Sequence, residues 1–548
     1  MGKIIRRALS ILPAVLLQAL WAALLLHWLA PWAGLITMGL SVLALIFVLY
    51  IITKRDEGTY KILWLLVILS FPLPGALLYL LFGDKRTTWP LKKRLEAVRL
   101  PEGFADETET ALARLAGQDG RMAATFGYLY RLTGCPVYLN REAVYYPLGD
   151  TLFPAMLDAM RQARRYIFLE YFIVEPGAMW DAMAGLLTQK AAEGVDVRML
   201  YDDLGSLSTY TRANARALQK AGVRCVPFNP LRSIKGTLNY RDHRKMLIVD
   251  GEVAFSGGVN LADEYINRIA KHGHWKDIGL RLTGPAVQGY TRMFVQFWDA
   301  FGGEAVPSAL VLPAAGKAAD EAAAAPAGEP AAGMPAEGPP AGMPAEGPAA
   351  GGTAGAPADR PADKPLDGIV LSYFDSPLRP SAASNELYIE LLAQATEYAW
   401  FFTPYLMPGD ALQEAMVRAA RRGVDVRIIM PGIPDKKLVF RMSRSFYPVL
   451  LDAGVKIYEY LPGFVHAKGC VIDGRVGTVG TVNLDYRSLF LHFENNSLFY
   501  GASLLNDLKA DFLATQAQCC RMELGKNVRL GFWSWTLDGV LRIFAPLC

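Results

Sequence analysis

Short segments in one part of this 548-residue chain recur in the same order in a later part. Ala192–Arg198 (AEGVDVR) is echoed by Arg421–Arg427 (RRGVDVR), and Ala221–Val223 is echoed by Ala453–Val455. Both copies alternate short β-rich runs with amphipathic helices, which is typical of α/β layer folds. The repeat is far too long for a solenoid. It therefore predicts two homologous α/β halves that face each other.

Each half carries one copy of the same polar motif, His-x-Lys-x4-Asp. The six motif residues are His243, Lys245, Asp250, His466, Lys468 and Asp473. An asparagine, Asn260 or Asn483, follows each histidine by 17 residues. On a strand, a histidine and a lysine two residues apart point to the same face. Two halves related by a pseudo-two-fold axis would gather two of each side chain around one cleft.

This set of side chains suits phosphodiester chemistry. One imidazole can attack phosphorus and form a phosphohistidine, while the other protonates the leaving alcohol and deprotonates the incoming one. The lysines and asparagines can stabilise charge on the non-bridging oxygens. We expect no cofactor or metal, because the lysines supply positive charge and the cysteines and histidines lack zinc-ligand spacing. A single motif could be a chance pair, but two copies with equal spacing argue against chance.

Two carboxylates and one loop are weaker candidates. Asp277 and Glu494 could orient the two histidines by accepting an imidazole N–H, or they could be ordinary surface carboxylates. The segment Tyr201–Ser206 follows a predicted strand. It is either a ligand loop at a strand end or a helix-cap turn.

The first 95 residues predict a membrane anchor. Three apolar stretches, 8–30, 33–52 and 62–82, each approach the roughly 20 residues needed to cross a bilayer. Basic residues before the first stretch and after the third favour the cytoplasm for both ends, which requires an even number of crossings. We therefore predict N-terminal transmembrane helices with two full crossings and a cytoplasmic catalytic region.

Composition divides the rest of the chain. Residues 96–302 and 367–525 are the two predicted catalytic halves. The intervening segment 303–366 is rich in Ala, Pro and Gly and contains GMPAEGP twice, which predicts a disordered linker. The aromatic and basic tail, 526–548, either lies on a membrane surface or packs as a helix on the domain. The net charge of +4 argues against a nucleic-acid partner.

The paired motifs resemble those of the phospholipase D superfamily, and several segments narrow the resemblance to bacterial cardiolipin synthases. These segments are Gly463–Lys468, Gly480–Ser488, His492–Glu494, Thr403–Tyr405, Tyr201–Ser206 and Leu80–Gly83. The likeness covers nearly the whole chain except the linker. It implies two halves that share one active site, a phosphohistidine intermediate and no metal.

The resemblance also implies a reaction and a location. Two phosphatidylglycerol molecules would give cardiolipin and glycerol by phosphatidyl transfer, with phosphatidylglycerol and the lipid bilayer as partners and the bacterial inner membrane as the location. The motif itself does not say which histidine is the nucleophile, and we favour His243. A membrane-bound phospholipase D-type hydrolase stays open as the alternative, because the same site could accept water. An inactive membrane scaffold is disfavoured, because both motifs are intact.

Overall fold

A computed structural model describes residues 13, 16–18, 20–21, 32–54, 56–84, 89–230, 239–312, 365–379, 381–528 and 532–547. Within these ranges the chain forms an apolar helical region followed by two α/β halves.

From residue 32 onward, the described part of the apolar region forms the helices α1 (Ala33–Ile52), α2 (Gly58–Ser70) and α3 (Pro72–Leu78), and a π-helical turn at Tyr79–Gly83. In the described chain only α1 is long and apolar enough to span a membrane. The predicted third stretch, 62–82, is broken because Phe71 leaves helical geometry and Pro72 starts a new helix. The first stretch, 8–30, lies almost entirely outside the described residues. In the part of the chain described, the structure therefore has one helix able to span a membrane, whereas the sequence predicts more than one.

Three amphipathic helices and a short strand connect this region to the first half. They are α4 (Trp89–Ala97), α5 (Thr108–Gln118), α6 (Gly120–Thr133) and β1 (Tyr138–Leu139). Asp119 caps α6 by accepting hydrogen bonds from two backbone N–H groups, and Gly134 ends the helix in the left-handed conformation.

The first half is a seven-stranded mixed sheet covered by helices. Its strands are β2 (Glu142–Tyr146), β3 (Tyr166–Tyr171), β4 (Asp196–Asp202), β5 (Arg224–Phe228), β6 (Met246–Val249), β7 (Val253–Gly257) and β9 (Gly279–Thr283), while β8 (His274–Lys276) lies outside the sheet. Its helices are α7 (Gly149–Gln162), α8 (Ala178–Ala192), α9 (Arg212–Lys220), α10 (Val287–Phe301) and α11 (Ser308–Val311). The strand order is β2-β9-β7-β6-β3-β4-β5. All six residues of β3 are buried, as expected for a strand covered on both faces.

The second half repeats this arrangement strand for strand. Its strands are β10 (Ile369–Asp375), β11 (Tyr398–Phe402), β12 (Asp425–Pro431), β13 (Lys456–Tyr460), β14 (Gly463–Val465), β15 (Gly469–Ile472), β16 (Val476–Gly480), β17 (Glu494–Tyr500) and β18 (Cys519–Arg521). Its helices are α12 (Ala383–Gln394), α13 (Asp410–Arg421), α14 (Lys437–Ser445), α15 (Tyr447–Asp452), α16 (Tyr486–Phe490) and α17 (Leu504–Gln516). The order β10-β17-β16-β15-β11-β12-β13 matches the first sheet, with β1 and β18 added at its edges. The predicted pair of homologous α/β halves is confirmed.

Two segments pack differently from their predicted assignments. The strand β1, placed by sequence in the first half, pairs with β10 of the second. On α6, Thr125 Oγ1 accepts a hydrogen bond from Gln394 of α12 at 2.8 Å. At the other boundary, Val306 and Val311 are buried although both fall inside the predicted linker. Nearly all the rest of that linker, residues 313–364, lies outside the described residues.

The two halves share one hydrophobic core. The helix α10 packs against both sheets, and Tyr290 Oη on this helix lies 2.8 Å from Ser497 Oγ of β17. Phe168 and Phe294 of the first half belong to the same buried cluster as Val370 of the second. The halves are therefore fused through apolar contacts as well as through the site.

The C-terminal tail forms a helix, α18 (Phe532–Phe544), that packs on α14 and α2. Beyond its end, Ala545 is buried against Met407, Met442 and Phe446. Of the two alternatives drawn from the sequence, packing on the domain is what these contacts show. Its outer face stays exposed.

Candidate active site

The two His-x-Lys pairs lie at the same edge of their sheets. Each lysine is followed at once by a strand, β6 or β15, that runs antiparallel to the first parallel strand of its half. The start of β6 therefore lies at the carboxyl ends of β3 and β4, and the start of β15 at those of β11 and β12. Open α/β sheets place their ligand sites at this edge.

The halves pair with each other directly beside the histidines. Val465, just before His466, pairs in parallel with Lys276, just before Asp277. In the same way, Asp242 pairs with Phe493, which precedes Glu494. The His466 N–H donates to the Lys276 carbonyl at 2.7 Å, and the His243 N–H donates to the Phe493 carbonyl at 2.9 Å. This crossed backbone pairing sets each histidine beside a carboxylate of the opposite half.

Two histidine–carboxylate dyads result. His243 Nδ1 lies 2.9 Å from Glu494 Oε1, and His466 Nδ1 lies 2.6 Å from Asp277 Oδ2. Both carboxylates are fully buried. In each dyad the Nδ1–H donates to the carboxylate, which directs Nε2 away from it and leaves it free to react. The structure thus brings Asp277 and Glu494 to the histidines, as the predicted orienting role requires.

The two lysines are buried beside their histidines. Lys245 Nζ donates to the His243 carbonyl at 2.5 Å, and Lys468 Nζ donates to the His466 carbonyl. Lys468 Nζ also lies 2.7 Å from His466 Nδ1. A ring nitrogen that donates to a carboxylate cannot also accept from an ammonium, and we assign its proton to the shorter contact with Asp277. Lys468 is therefore held near the imidazole without bonding to it.

Burial and mutual repulsion weaken the cations of the site. Desolvation lowers the pKa of Lys245 to about 8 and that of Lys468 to about 7, although the carboxylates oppose this. Desolvation and the neighbouring lysine lower the pKa of His466 to about 4, and the pKa of His243 falls well below its usual value for the same reasons. Burial also raises the pKa of Glu494, but Lys245 opposes the rise. We therefore assign a neutral His243 imidazole that donates to an ionised Glu494 carboxylate. Neutral imidazoles at neutral pH are suited to nucleophilic attack.

The two predicted substrate-binding asparagines are buried near the dyads. Asn260 Oδ1 accepts from the Ile173 N–H at 3.1 Å, and Asn260 Nδ2 donates to Tyr265 Oη at 2.8 Å. Asn483 Nδ2 donates to Asp485 at 3.0 Å. Each amide nitrogen carries a second N–H, and the substrate-binding role stays a prediction.

The aspartates of the two motifs lie away from the histidines and lysines. The strands β6 and β15 separate them from the lysines, so Asp250 and Asp473 lie about 16 Å further along at the opposite sheet edge. Asp250 accepts three backbone N–H bonds from residues 164–166, and Asp473 accepts three from residues 396–398. The predicted catalytic role is therefore corrected to a structural one. Each carboxylate ties the start of β3 or β11 to the strand that carries the histidine.

The segment Tyr201–Ser206 is a structural turn. The Asp202 carboxylate accepts from Leu204 N and Gly205 N and forms a buried ion pair with Arg241 at 2.8 Å. Ser206 Oγ donates to the Phe172 carbonyl at 3.1 Å. The next helix begins at Arg212 and is capped by Thr211, so the segment is a turn but not the helix cap that the sequence offered as one alternative.

A third histidine, His492, lies at the site although the sequence analysis gave it no role. Its ring centroid is 5.5 Å from that of His243, and Trp275 lies at the same distance from His466. Both residues stand two positions before a dyad carboxylate. Comparison of the repeats could have found this asymmetry, because histidine in one half replaces tryptophan in the other.

The protonation of His492 follows from its neighbour. Arg487 Nε donates to His492 Nε2 at 3.1 Å, so the neutral ring carries its proton on Nδ1. This Nδ1 has no hydrogen-bond partner among the described residues and lies 3.9 Å from Glu494 Oε1. His243, His492 and Glu494 bring potential ligand atoms within 4.8 Å of one another. In this tautomer Nδ1 offers no lone pair beside the carboxylate, so the cluster does not fit a metal ion.

Two homologous α/β halves that share a pair of histidine–carboxylate dyads define an enzyme of the phospholipase D class. Residues 156–298 and 388–515 match the family model described as cardiolipin synthase, PLD-like domain, and residues 39–83 match the phospholipase D-nuclease N-terminal model. A cardiolipin synthase of Geobacillus thermodenitrificans is 32% identical over 94% of this chain and 95% of its own length. One of Halalkalibacterium halodurans is 30% identical over 94% and 95%. The chain belongs to the cardiolipin synthase family.

A solved structure supports the fold. The crystal structure of phosphatidylserine synthase from Haemophilus influenzae Rd KW20 covers 77% of this chain and 98% of its own length, with a TM-score of 0.51 and 14% sequence identity. At this identity the likeness concerns the fold alone.

Proposed function

We propose that this chain is a phosphatidyltransferase that converts two phosphatidylglycerol molecules into cardiolipin and glycerol. The observation that carries the proposal is the pair of crossed dyads, His243–Glu494 and His466–Asp277, in a chain of the cardiolipin synthase family. Two histidines that face one cleft can divide nucleophilic attack and proton transfer between them.

The first half-reaction breaks the bond between phosphorus and the glycerol headgroup. His243 Nε2 attacks phosphorus and forms a phosphohistidine, while His466 gives a proton to the departing headgroup oxygen. Glu494 stabilises the positive charge that develops on His243, as a carboxylate does in a catalytic triad. The phosphate anion offsets the lysine charges that lower the His466 pKa, so His466 can carry the required proton in the complex.

The second half-reaction reverses these roles with a new alcohol. A headgroup hydroxyl of a second phosphatidylglycerol loses its proton to His466, and its oxygen attacks the phosphohistidine. The P–N bond breaks, His243 becomes neutral, and cardiolipin leaves. Lys245 and Lys468 are placed to stabilise the non-bridging oxygens in both steps.

The test is to incubate the purified full chain in vesicles with phosphatidylglycerol alone and to resolve the products by mass. We expect cardiolipin and glycerol in equal amounts, and no cardiolipin from His243→Asn. Phosphatidic acid with glycerol, and no cardiolipin, would show the hydrolase alternative.

We also propose a topology. The helix α1 supplies one crossing, and an even number of crossings, which the flanking basic residues favour, leaves the catalytic region in the cytoplasm of a bacterial inner membrane. Protease added to inside-out vesicles should cut the Ala/Pro/Gly-rich linker, and intact spheroplasts should protect it. Cleavage in spheroplasts alone would reverse the orientation.

A further inference from the structure

Large apolar side chains are exposed on three loops, and at the start of α14, around the catalytic edge of the sheets. Ile269, Ile433, Leu438 and Leu461 are between 41% and 63% exposed, and we call them the apolar rim. Ile433 follows β12, Leu461 joins β13 to β14, and Ile269 precedes β8. The strands β8 and β14 lead directly to Asp277 and His466, so the apolar rim borders the site.

The rim loops touch one another. The N–H groups of Gly432 and Ile433 both donate to the Gly463 carbonyl at 3.1 Å. Gly273 lies against Ile433 and the Pro462 carbonyl so closely that a side chain there would collide with the carbonyl. The loops that carry Ile433 and Leu461 therefore adjoin each other and the loop before β8, and contiguous apolar patches mark interaction surfaces.

The patch continues toward the membrane anchor through the C-terminal helix. The helix α18 packs on α14, which carries Leu438, and Arg441 Nε of α14 lies 3.4 Å from Asp538 of α18. On its other side α18 packs on α2 of the anchor. The outer stripe of α18, formed by Leu537, Val540 and Phe544, is exposed at positions that share one helix face.

The charge around the rim suits an anionic lipid surface. Four cationic side chains are exposed on the same loops and at the start of α14, namely Arg268, Lys271, Lys436 and Lys437. Glu264 and Asp435 lie near two of them, at 3.4 and 3.6 Å, but these carboxylates are largely buried. Anionic lipids attract exposed Lys and Arg side chains near the membrane surface.

We propose that the apolar rim and the outer stripe of α18 rest on the bilayer, so that the active site opens into the lipid headgroup layer. The inference builds on the proposed function and names the surface that delivers its substrate. The anchor fixes the chain to the membrane, and the rim sets the orientation of the catalytic edge. A phosphatidyl group then reaches the histidines without leaving its leaflet.

The test compares two substrates in one proteoliposome preparation. Long-chain phosphatidylglycerol is held in the bilayer, and dihexanoyl-phosphatidylglycerol is added below its micellar concentration, each with differently labelled headgroup glycerol. The variants are Leu438→Glu and Leu461→Glu, and the matched control is Leu513→Glu on α17, which is similarly exposed but outside the rim. Glycerol release from each pool is measured.

We expect the rim variants to lose about tenfold activity on the bilayer pool, because a carboxylate there opposes apolar insertion and anionic lipid. Activity on the soluble pool should stay within about threefold of the unmodified chain, as for the control on both pools. Equal losses on both pools, or no loss on either, would overturn the docking surface. Failure of the unmodified chain to release glycerol from either pool would instead overturn the proposed function.

Discussion

His243 and His466 occupy equivalent backbone positions but have different neighbours. The ring of His243 lies beside Phe172 and His492, whereas that of His466 lies beside Tyr265 and Trp275. Glu494 also accepts from Thr481 Oγ1, while Asp277 accepts from the Ile278 N–H. The two imidazoles are therefore expected to have different catalytic roles, although they occupy equivalent positions in the repeat.

The first prediction distinguishes nucleophile from acid–base partner. With a phosphatidyl substrate whose leaving group departs without protonation, His466→Asn should accumulate a phosphohistidine adduct at His243. His243→Asn should give no labelled enzyme. Acid-quenched mass spectrometry of both variants measures this. An adduct at His466 in His243→Asn would reverse the assignment, and turnover by the double variant would exclude a phosphohistidine.

The second prediction concerns His492, whose Nδ1–H faces Glu494. Replacing it by Phe removes this donor, and kcat should fall about tenfold, with a shifted acid limb in the pH profile, because the charge of the His243 dyad is less well stabilised. His492→Asn keeps an N–H donor and should stay within a few-fold. Equal losses in both variants, with unchanged pH profiles, would reduce His492 to a packing role.

The third prediction concerns pH. The lysines act as ammonium ions, whose charge is present below the pKa and lost as pH rises through it. With the pKa of Lys468 lowered to about 7 and that of Lys245 to about 8, kcat/KM should fall between these pH values. The acid limb should lie well below neutral pH, where the nucleophile His243 becomes protonated, because burial and Lys245 hold the pKa of His243 well below its usual value. In Lys468→Arg, which stays charged, the alkaline limb should move upward, and an unmoved limb would contradict this assignment.

At the scale of elements, the first parallel strand of each half is held at its start by an aspartate remote from the histidines. The Asp473 carboxylate accepts hydrogen bonds from three backbone N–H groups and from Thr396 Oγ1. Asp473 lies in a turn, and its own φ is 51°. Burial alone would raise its pKa, but these hydrogen bonds lower it. The strand β15 therefore links the catalytic edge to a fixed point at the opposite edge.

The fourth prediction follows from that position. Asp473→Ala should destabilise folding by about 2–4 kcal/mol, because several N–H groups lose a charged acceptor. Chemical denaturation of the solubilised chain measures this, with the exposed Asp452→Ala as control. Activity per folded molecule should change little. A large loss of kcat at unchanged stability would instead indicate a catalytic role for Asp473.

Much of this element structure is predictable from local patterns. The alternation of short β-rich runs with amphipathic helices, from which the two halves are predicted, appears as strands such as β3 and helices such as α8. The crossing of the dyads is not predictable, because sequence spacing says nothing about whether Asp277 meets the histidine of its own half or of the other. The position of Asp250 was open to inference, since four strand residues after Lys245 carry the chain to the far edge.

For the whole molecule, the anchor and the catalytic halves form one packed unit. Tyr60 of α2 stacks on Tyr486 of α16 with ring centroids 5.6 Å apart, and Leu491 belongs to the same buried cluster as Trp64. Asn239 Nδ2 donates to the Phe82 carbonyl at 3.3 Å. The anchor therefore packs on the segment that follows Asn483, so the position of the bilayer bears directly on the site.

The fifth prediction concerns the linker. Deleting residues 314–362 should leave activity within a few-fold, because loop-closure entropy changes by only about 0.6 kcal/mol for each doubling of length. A variant with the same linker residues in scrambled order should match the activity of the unmodified chain, and it controls for the length and composition of the linker. Extending the deletion to residue 306 removes buried Val306 and Val311 and should destabilise folding. Loss of activity in the scrambled variant would reveal a sequence-specific role.

The crossed pairing of β8 with β14, and of Asp242 with Phe493, governs how turnover can proceed. Separating the halves would break both dyads at once. The halves are therefore expected to stay paired while lipid enters and product leaves. Glycerol, the second phosphatidylglycerol and cardiolipin are therefore expected to exchange in turn while both dyads stay intact.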